Sequence, residues 1–312
     1  VTTFRGGRGI VSDDSPYGFT CAGGYKLWAE TDLMIGIGSR LELRAFGWQK
    51  GKPTNNLIRI DIDPTQMTRI NAEVAIVADA KSATSELLEE VNKCITKVPS
   101  REEKLKQVKA QLLEEIQEAQ PQMSYLNVIR EVLPLDGFLV EEISQVGFTS
   151  WFGFPIYEPR KLVTSGFQGN LGHGFQTALG VKISNPDKAV ISLAGDGGIM
   201  FGIQELATAV QYQIGLVTII FNNNAFGNVR RDQINLFDGN DYASELRNPD
   251  FIKLAESFGA QAYRVKTPAE MKVTLEKGLA GKGPQVIEVP CERGSEASPL
   301  KFIIPTGYTR EP

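Results

Sequence analysis

Ala189-Val-Ile-Ser-Leu-Ala-Gly-Asp-Gly-Gly198 is the stretch that decides the fold of this 312-residue chain. The apolar run Ala189–Ala194 stops at Gly195, so it reads as a buried strand with Asp196 at its carboxyl end. Gly197 and Gly198 let the backbone turn closely and leave N–H groups free for an anion. A helix expected over Ile203–Gln213 would bring its partly positive N-terminus nearby. The next apolar run, Val217–Phe221, ends at Asn222-Asn-Asn224. The interval between Gly197 and Asn222 is 24 residues, room for one helical crossover between parallel strands. If the two strands are neighbours, a carboxylate and an amide oxygen converge on the sheet edge where doubly wound folds bind ligands. Asp, Asn and nearby backbone carbonyls form a hard, all-oxygen set that suits Mg²⁺ or Ca²⁺ and would not select zinc. One carboxylate leaves Mg²⁺ largely positive, so phosphate oxygens would complete its shell. Either triplet alone would be an ordinary strand-to-helix turn; spaced by one crossover, they predict a magnesium-diphosphate site.

The same alternation extends outward in both directions. Gly137–Val140, Lys161–Thr164 and Gln285–Val289 read as further strands, and Pro249–Phe258 as a helix. Residues 121–312 are therefore expected to form one α/β domain with a mostly parallel, doubly wound sheet. Upstream, Asp32–Gly38, Leu57–Ile62 and Val74–Val77 are strand-like, with a helix over Ser82–Val91. Residues 1–95 thus read as half of a second doubly wound domain. Between them, 96–120 begins with a capping box, Ser100 with Glu103. Leu105, Val108, Leu112, Leu113 and Ile116 then recur at helical spacing, which predicts an amphipathic helix crossing between domains or docking a partner.

Composition narrows the functional classes. A 42% hydrophobic, 22% charged chain with 31 Gly and 16 Pro is globular, with content for one large or two medium domains. A net charge of −4 offers no footprint for nucleic acid or an anionic membrane. No apolar run approaches the roughly 18–20 residues of a membrane span. Cys21, Cys94 and Cys291 are far apart and lack metal spacing, which suits packed thiols in a reducing, cytoplasmic setting. The single histidine, His173, excludes a multi-histidine metal site within this chain. Gly172-His-Gly174 lacks the third glycine of a dinucleotide fingerprint, and Gly278–Gly283 lacks the Lys-Ser/Thr ending of a P-loop.

Gly195-Asp-Gly197 followed by Asn222-Asn223 resembles the signature of thiamine-diphosphate-dependent enzymes. Gln204-Glu-Leu-Ala-Thr208 and Asn228-Val-Arg-Arg-Asp-Gln233 are similar to the acetolactate synthase-like group of 2-keto acid decarboxylases and carboligases. The resemblance sets residues 1–95 against the later part of that family's central domain and 121–312 against its diphosphate-binding domain. It implies that Asp196 and Asn223 ligate Mg²⁺ by their side chains and Ala225 by its carbonyl. It also implies that Gly195, Gly197 and Gly198 hold the diphosphate, with Phe226 and Gly227 completing that side of the cofactor site. Gly166-Phe-Gln-Gly169-Asn-Leu-Gly172 resembles the family's pyrimidine-contacting turn. There Gly169 would offer its carbonyl to the aminopyrimidine, and Leu171, followed by Gly172, would be the wedge that bends the cofactor.

Further implications follow from the resemblance. Ser144 and Gln145, after the Gly137–Val140 strand, would touch the diphosphate or substrate, or simply shape the loop. His173 would be a packed neighbour of the site, and Arg230 or Arg231 would pair with a substrate carboxylate or bridge on the surface. The arm from Cys291 to Pro312 would cover the site or lie idle. The Glu that activates the cofactor belongs, in the family, to a pyrimidine-binding domain. That domain has no matching segment here and would come from another chain or from sequence preceding Val1, in a homodimer or homotetramer. Arg40-Leu-Glu-Leu-Arg44 departs from the Arg-Phe-Asp-Asp-Arg pattern and speaks against FAD. The expected activity is 2-keto acid decarboxylation or carboligation. The alternatives are a cofactor-binding subunit inactive by itself and a Mg²⁺-dependent nucleotide or phosphotransfer enzyme.

Overall fold

The computed structural model describes residues 1–42, 56–96, 98–295 and 297–303. Among the described residues eleven strands run β1 (Thr2–Thr3), β2 (Phe19–Thr20), β3 (Met34–Ile37), β4 (Leu57–Asp61), β5 (Val74–Val77), β6 (Phe138–Glu141), β7 (Leu162–Val163), β8 (Val190–Gly195), β9 (Val217–Asn222), β10 (Gln261–Arg264) and β11 (Gln285–Pro290). The helices among them are α1 (Cys21–Leu27), α2 (Ala80–Cys94), α3 (Glu102–Ile116), α4 (Gln122–Val132), α5 (Gln145–Gly153), α6 (Gly174–Ser184), α7 (Asp196–Ile199), α8 (Leu206–Gln211), α9 (Gly227–Leu236), α10 (Phe251–Phe258) and α11 (Pro268–Ala280). The chain divides into two compact units, one of residues 1–20 and 110–299, the other of 21–109 with the residues after 299.

The larger unit is built on a six-stranded sheet in the order β10-β11-β9-β8-β6-β7, parallel at every pairing. This is the α/β, doubly wound architecture expected from the sequence. β8 and β9 are immediate neighbours, and nearly every residue of both is buried. Strands covered on both faces must be apolar throughout, which is why they read as continuous runs. On one face, Phe175 and Leu179 of α6, Leu206 and Ala209 of α8 and Phe251 of α10 pack with Val190, Ala194 and Ile220. Side chains alternate along a strand, so Phe221 lies on the opposite face. It meets Tyr125 of α4 edge to face, ring centroids 5.5 Å apart. α10 carries ordinary caps: Asp250 accepts from the N–H groups of Ile252 and Lys253, and Gly259 closes the helix in the left-handed conformation.

Residues 1–20 join this unit through two arginines. Arg8, 1% exposed, donates to the carbonyl oxygens of Trp151 and Phe154 and to the Asp13 carboxylate, so it fills the carbonyl-rich end of α5. Asp13 accepts in turn from the Ile156 N–H at 2.7 Å. Arg5 lies over the Trp151 ring at 4.6 Å and donates to the Gly166 carbonyl at 2.6 Å.

The smaller unit holds the parallel sheet β3-β4-β5. Buried Arg59 of β4 donates to the carbonyl oxygens of Ser39 and Gln66 and ties the loops flanking the sheet together. Leu43 and Arg44, part of the Arg40–Arg44 segment, lie outside the described residues.

Several local expectations shift. The helix after β8 begins at once, at Asp196, while Ile203–Glu205 forms a 3-10 turn before α8. In α3, Leu112 and Ile116 are buried but Leu113 is 45% exposed, because it falls off the Leu105-Val108-Leu112-Ile116 stripe. Ser100 accepts from the Glu102 N–H at 3.2 Å. Of the C-terminal arm, 304–312 and residue 296 lie outside the described residues.

Candidate functional site

A cavity of about 260 Å³ opens at the carboxyl end of the six-stranded sheet. Its wall contains Gly169, Leu171, Gly195, Asp196, Gly197, Gly198, Asn223, Ala225, Phe226 and Gly227. Of the residues expected at a cofactor site, only Gly172 is absent from the wall. Parallel register explains the convergence. Gly195 pairs with Phe221 across β8 and β9, so Asp196 and Asn222 leave the sheet side by side.

Asp196 is 3% exposed. Burial pushes its carboxyl above the usual range, against hydrogen bonds from the Asn248 amide and the N–H groups of Gly197 and Ala225. Among the described residues no Lys or Arg pairs with it, so neutral donors alone meet a buried carboxylate. Such a group fits a cation. Among the described residues no cluster of three His, Cys, Asp or Glu side chains exists. The oxygen set is one carboxylate with amide and backbone oxygens, which suits a hard divalent ion.

The three asparagines have separate duties. Asn222 donates to Glu288 at 2.7 Å, and Glu288 is held by Arg264. The Asn222 oxygen accepts from the Asn224 N–H, and the Asn223 oxygen from the Ala225 N–H, each at 3.1 Å. These short loops hold Asn223 and Ala225 against the cavity. Phe226 is fixed by its N–H donating to the Ser244 carbonyl at 2.8 Å.

Gly172 acts one layer back. It has φ +80, and a Cβ there would meet Phe201 at 2.7 Å, so the turn needs glycine. Its N–H donates to the buried carboxylate of Glu142, at the end of β6. Glu142 thus tethers the Gly169–Gly172 turn to the sheet. Burial pushes its carboxyl up to about 7, against the N–H groups of Gly172 and His173. Burial also raises neighbouring Glu141, while the Trp151 indole and the Arg5 charge pull it back.

Ser144 and Gln145 both line the cavity, and Ser144 also caps α5 by accepting from the Gly147 N–H. The Gln145 amide lies 3.0 and 3.2 Å from the Arg231 Nη atoms, so its oxygen faces that guanidinium. Arg230 instead pairs with Asp241 at 2.7 Å. His173 is half-buried, with Thr177 Oγ1 3.5 Å from each ring nitrogen, and is not part of the cavity wall. Sequence reading missed Asn248 and the wall residues Gln122 and Asn228. Asn248 lies 52 positions beyond Asp196 on an irregular loop, where periodicity carries no signal. No helix among the described residues is long and apolar enough to cross a membrane.

The C-terminal TPP binding domain of thiamine pyrophosphate enzymes matches residues 142–289, and the central domain of the same enzymes matches 1–87. A probable acetolactate synthase large subunit of Methanococcus aeolicus is 31% identical over 337 aligned residues, covering 98% of this chain and 55% of that protein. The acetolactate synthase large subunit of Haemophilus influenzae is 32% identical over 284, covering 88% and 50%. A probable 2-ketoarginine decarboxylase of Pseudomonas aeruginosa is 28% identical over 291, covering 91% and 52%. The chain spans about half the length of the curated relatives it matches. With two domain types of one family matched in order along the chain, and the cavity on the second of them, the protein belongs to the thiamine pyrophosphate enzymes.

Proposed function

We propose that this chain carries the diphosphate-and-metal half of a thiamine-diphosphate- and Mg²⁺-dependent enzyme acting on a 2-keto acid, by decarboxylation or carboligation. One observation carries the reading: Asp196 and the Asn223–Ala225 loop meet on adjacent parallel strands at a cavity also walled by Gly169 and Leu171. In this reading Asp196 and Asn223 hold Mg²⁺ through side-chain oxygens and Ala225 through its carbonyl. Gly195, Gly197 and Gly198 leave room for the diphosphate to approach backbone N–H groups, with Phe226 and Gly227 alongside. Gly169 and Leu171 meet the pyrimidine side, in a turn that Glu142 keeps in place through Gly172. Bound thiamine diphosphate would supply the nucleophilic carbon and the electron sink that 2-keto acid chemistry needs. The chain's own contribution is positioning, charge neutralisation and exclusion of water.

The substrate group we propose is the 2-keto carboxylate. Arg231, whose guanidinium faces the wall residue Gln145, is the candidate for pairing with it. The partner we propose is a pyrimidine-binding domain, from another chain or from sequence preceding Val1, met in a homodimer or homotetramer. The length of the relatives beyond the matched half supports that reading. We also propose a cytoplasmic location, supported by three cysteines that form no disulfide.

Calorimetry on the full chain with Mg²⁺ tests the assignment. Thiamine diphosphate is expected to bind and ATP not to bind; preference for ATP overturns the reading and favours a phosphotransfer enzyme. Cofactor binding without turnover of any 2-keto acid would mark the chain as a binding subunit that is inactive alone.

A further inference from the structure

Asn248 lies in the irregular loop between α9 and α10, and no motif points to it. Its Nδ2 nevertheless reaches three oxygens at once: Asp196 Oδ2 at 2.7 Å, Asn222 Oδ1 at 3.0 Å and Asn224 Oδ1 at 3.3 Å. The first comes from the end of β8 and the other two from the loop after β9. A side-chain amide has two protons to give, so it satisfies two of the three acceptors fully. The distances favour Asp196 and Asn222.

Two consequences follow for the cation site. Bonding to Asp196 Oδ2 restrains the rotation of the carboxylate proposed as a cation ligand. Bonding to Asn222, with the Asn224 oxygen 3.3 Å away on the other side of Asn223, holds that loop beside Asp196. The proposed ligands Asp196, Asn223 and Ala225 thereby share one clamp, made by an Nδ2 that donates and cannot itself ligate a cation. Groups that orient a metal ligand in this way usually change metal affinity by roughly 10–100-fold when removed.

We propose that Asn248 is the positioning residue of the cation site, aligning Asp196 with the Asn222–Ala225 loop for Mg²⁺. The inference rests on reading Asp196 as a Mg²⁺ ligand. The opposite physical outcome is also defined. If Nδ2 merely fills the space between three oxygens and must be displaced by the ion, removing it will tighten Mg²⁺ binding.

The test titrates Mg²⁺ into the full chain at saturating thiamine diphosphate, by calorimetry, for the wild type and for Asn248→Ala, Asn248→Ser and Asp196→Ala. Asn248→Ala is expected to raise the Mg²⁺ Kd by roughly 10–100-fold. Asn248→Ser, which keeps one short donor, should fall between it and the wild type. Thiamine diphosphate affinity should return to the wild-type value at saturating Mg²⁺, and the cofactor-free Tm should stay close to the wild type. Unchanged or tighter Mg²⁺ binding in Asn248→Ala, with binding lost in Asp196→Ala, overturns the role of Asn248 and leaves the metal reading standing. Wild-type Mg²⁺ affinity in Asp196→Ala overturns the metal reading and this inference with it. A lower Tm in both Asn248 variants, with cofactor affinity that excess Mg²⁺ does not restore, reduces Asn248 to a structural loop residue and also overturns the inference.

Discussion

Replacing Glu142 by Gln should change how the stability of the larger unit depends on pH. The wild-type carboxyl is buried at the end of β6, accepts from the Gly172 N–H and is pushed up to about 7 from an ordinary 4.5. The folded chain therefore holds this proton more tightly than the unfolded chain does. Its stabilising contribution is complete below about pH 4.5 and is lost as pH rises through about 7. The displacement of roughly 2.5 pH units corresponds to about 3 kcal/mol, at 1.36 kcal/mol per unit. Gln does not titrate and escapes this loss. It still presents one oxygen to Gly172, so any cost of the exchange itself is constant with pH. Glu141 is also raised by burial, but it is present in both proteins and its effect largely subtracts out. The assay is urea unfolding of metal- and cofactor-free protein at about pH 5 and about pH 8.5, followed by fluorescence, to which buried Trp151 contributes from this unit. The variant should gain about 2.5 kcal/mol on the wild type between the two pH values, since at pH 5 the contribution is not yet complete. A wild-type-to-variant gap that stays the same, or moves in favour of the wild type at high pH, refutes the reasoning.

Other expectations follow from the same geometry. Asp196→Ala should abolish Mg²⁺-dependent thiamine diphosphate binding in calorimetry, since it removes the buried carboxylate; unchanged affinity would remove the metal assignment. Gly197→Ala places a Cβ 2.5 Å from the Phe226 ring and 3.2 Å from Leu246. It should cost about 1–3 kcal/mol of stability and weaken cofactor binding, because Phe226 lines the cavity; wild-type values for both would show that the ring yields freely. Arg8→Ala leaves Asp13 and the end of α5 without their buried donor and should cost about 3–5 kcal/mol, read as a lower urea midpoint.

The candidate site was largely legible because its parts obey local rules. A strand buried on both faces must be apolar throughout, so β8, β9 and β11 stood out and their carboxyl ends could be marked. The spacing from Asp196 to Asn223 then followed from the length of one crossover. Strands at the rim of a sheet have no such signature. β10, Gln-Ala-Tyr-Arg, is largely exposed, and β1 and β2 have two residues each; all three escaped notice. The stripe on α3 was visible, but Leu113, included in it from the sequence, lies at its margin and is exposed.

The sequence by itself determined the α/β class, the strands that carry the candidate site and the oxygen-bearing side chains at their ends, because burial, period and donor type are written residue by residue. Tertiary structure alone decided three things. It packed residues 1–20 with the larger unit, through Arg5 and Arg8 contacts that span more than 130 positions. It turned Glu142 into a buried tether for the Gly169–Gly172 turn. It carried Asn248 across the chain to the end of β8, where one amide meets Asp196 and two asparagines. A single polar side chain on a loop has no period and no fixed partner, so its role exists only once the fold has brought its acceptors together.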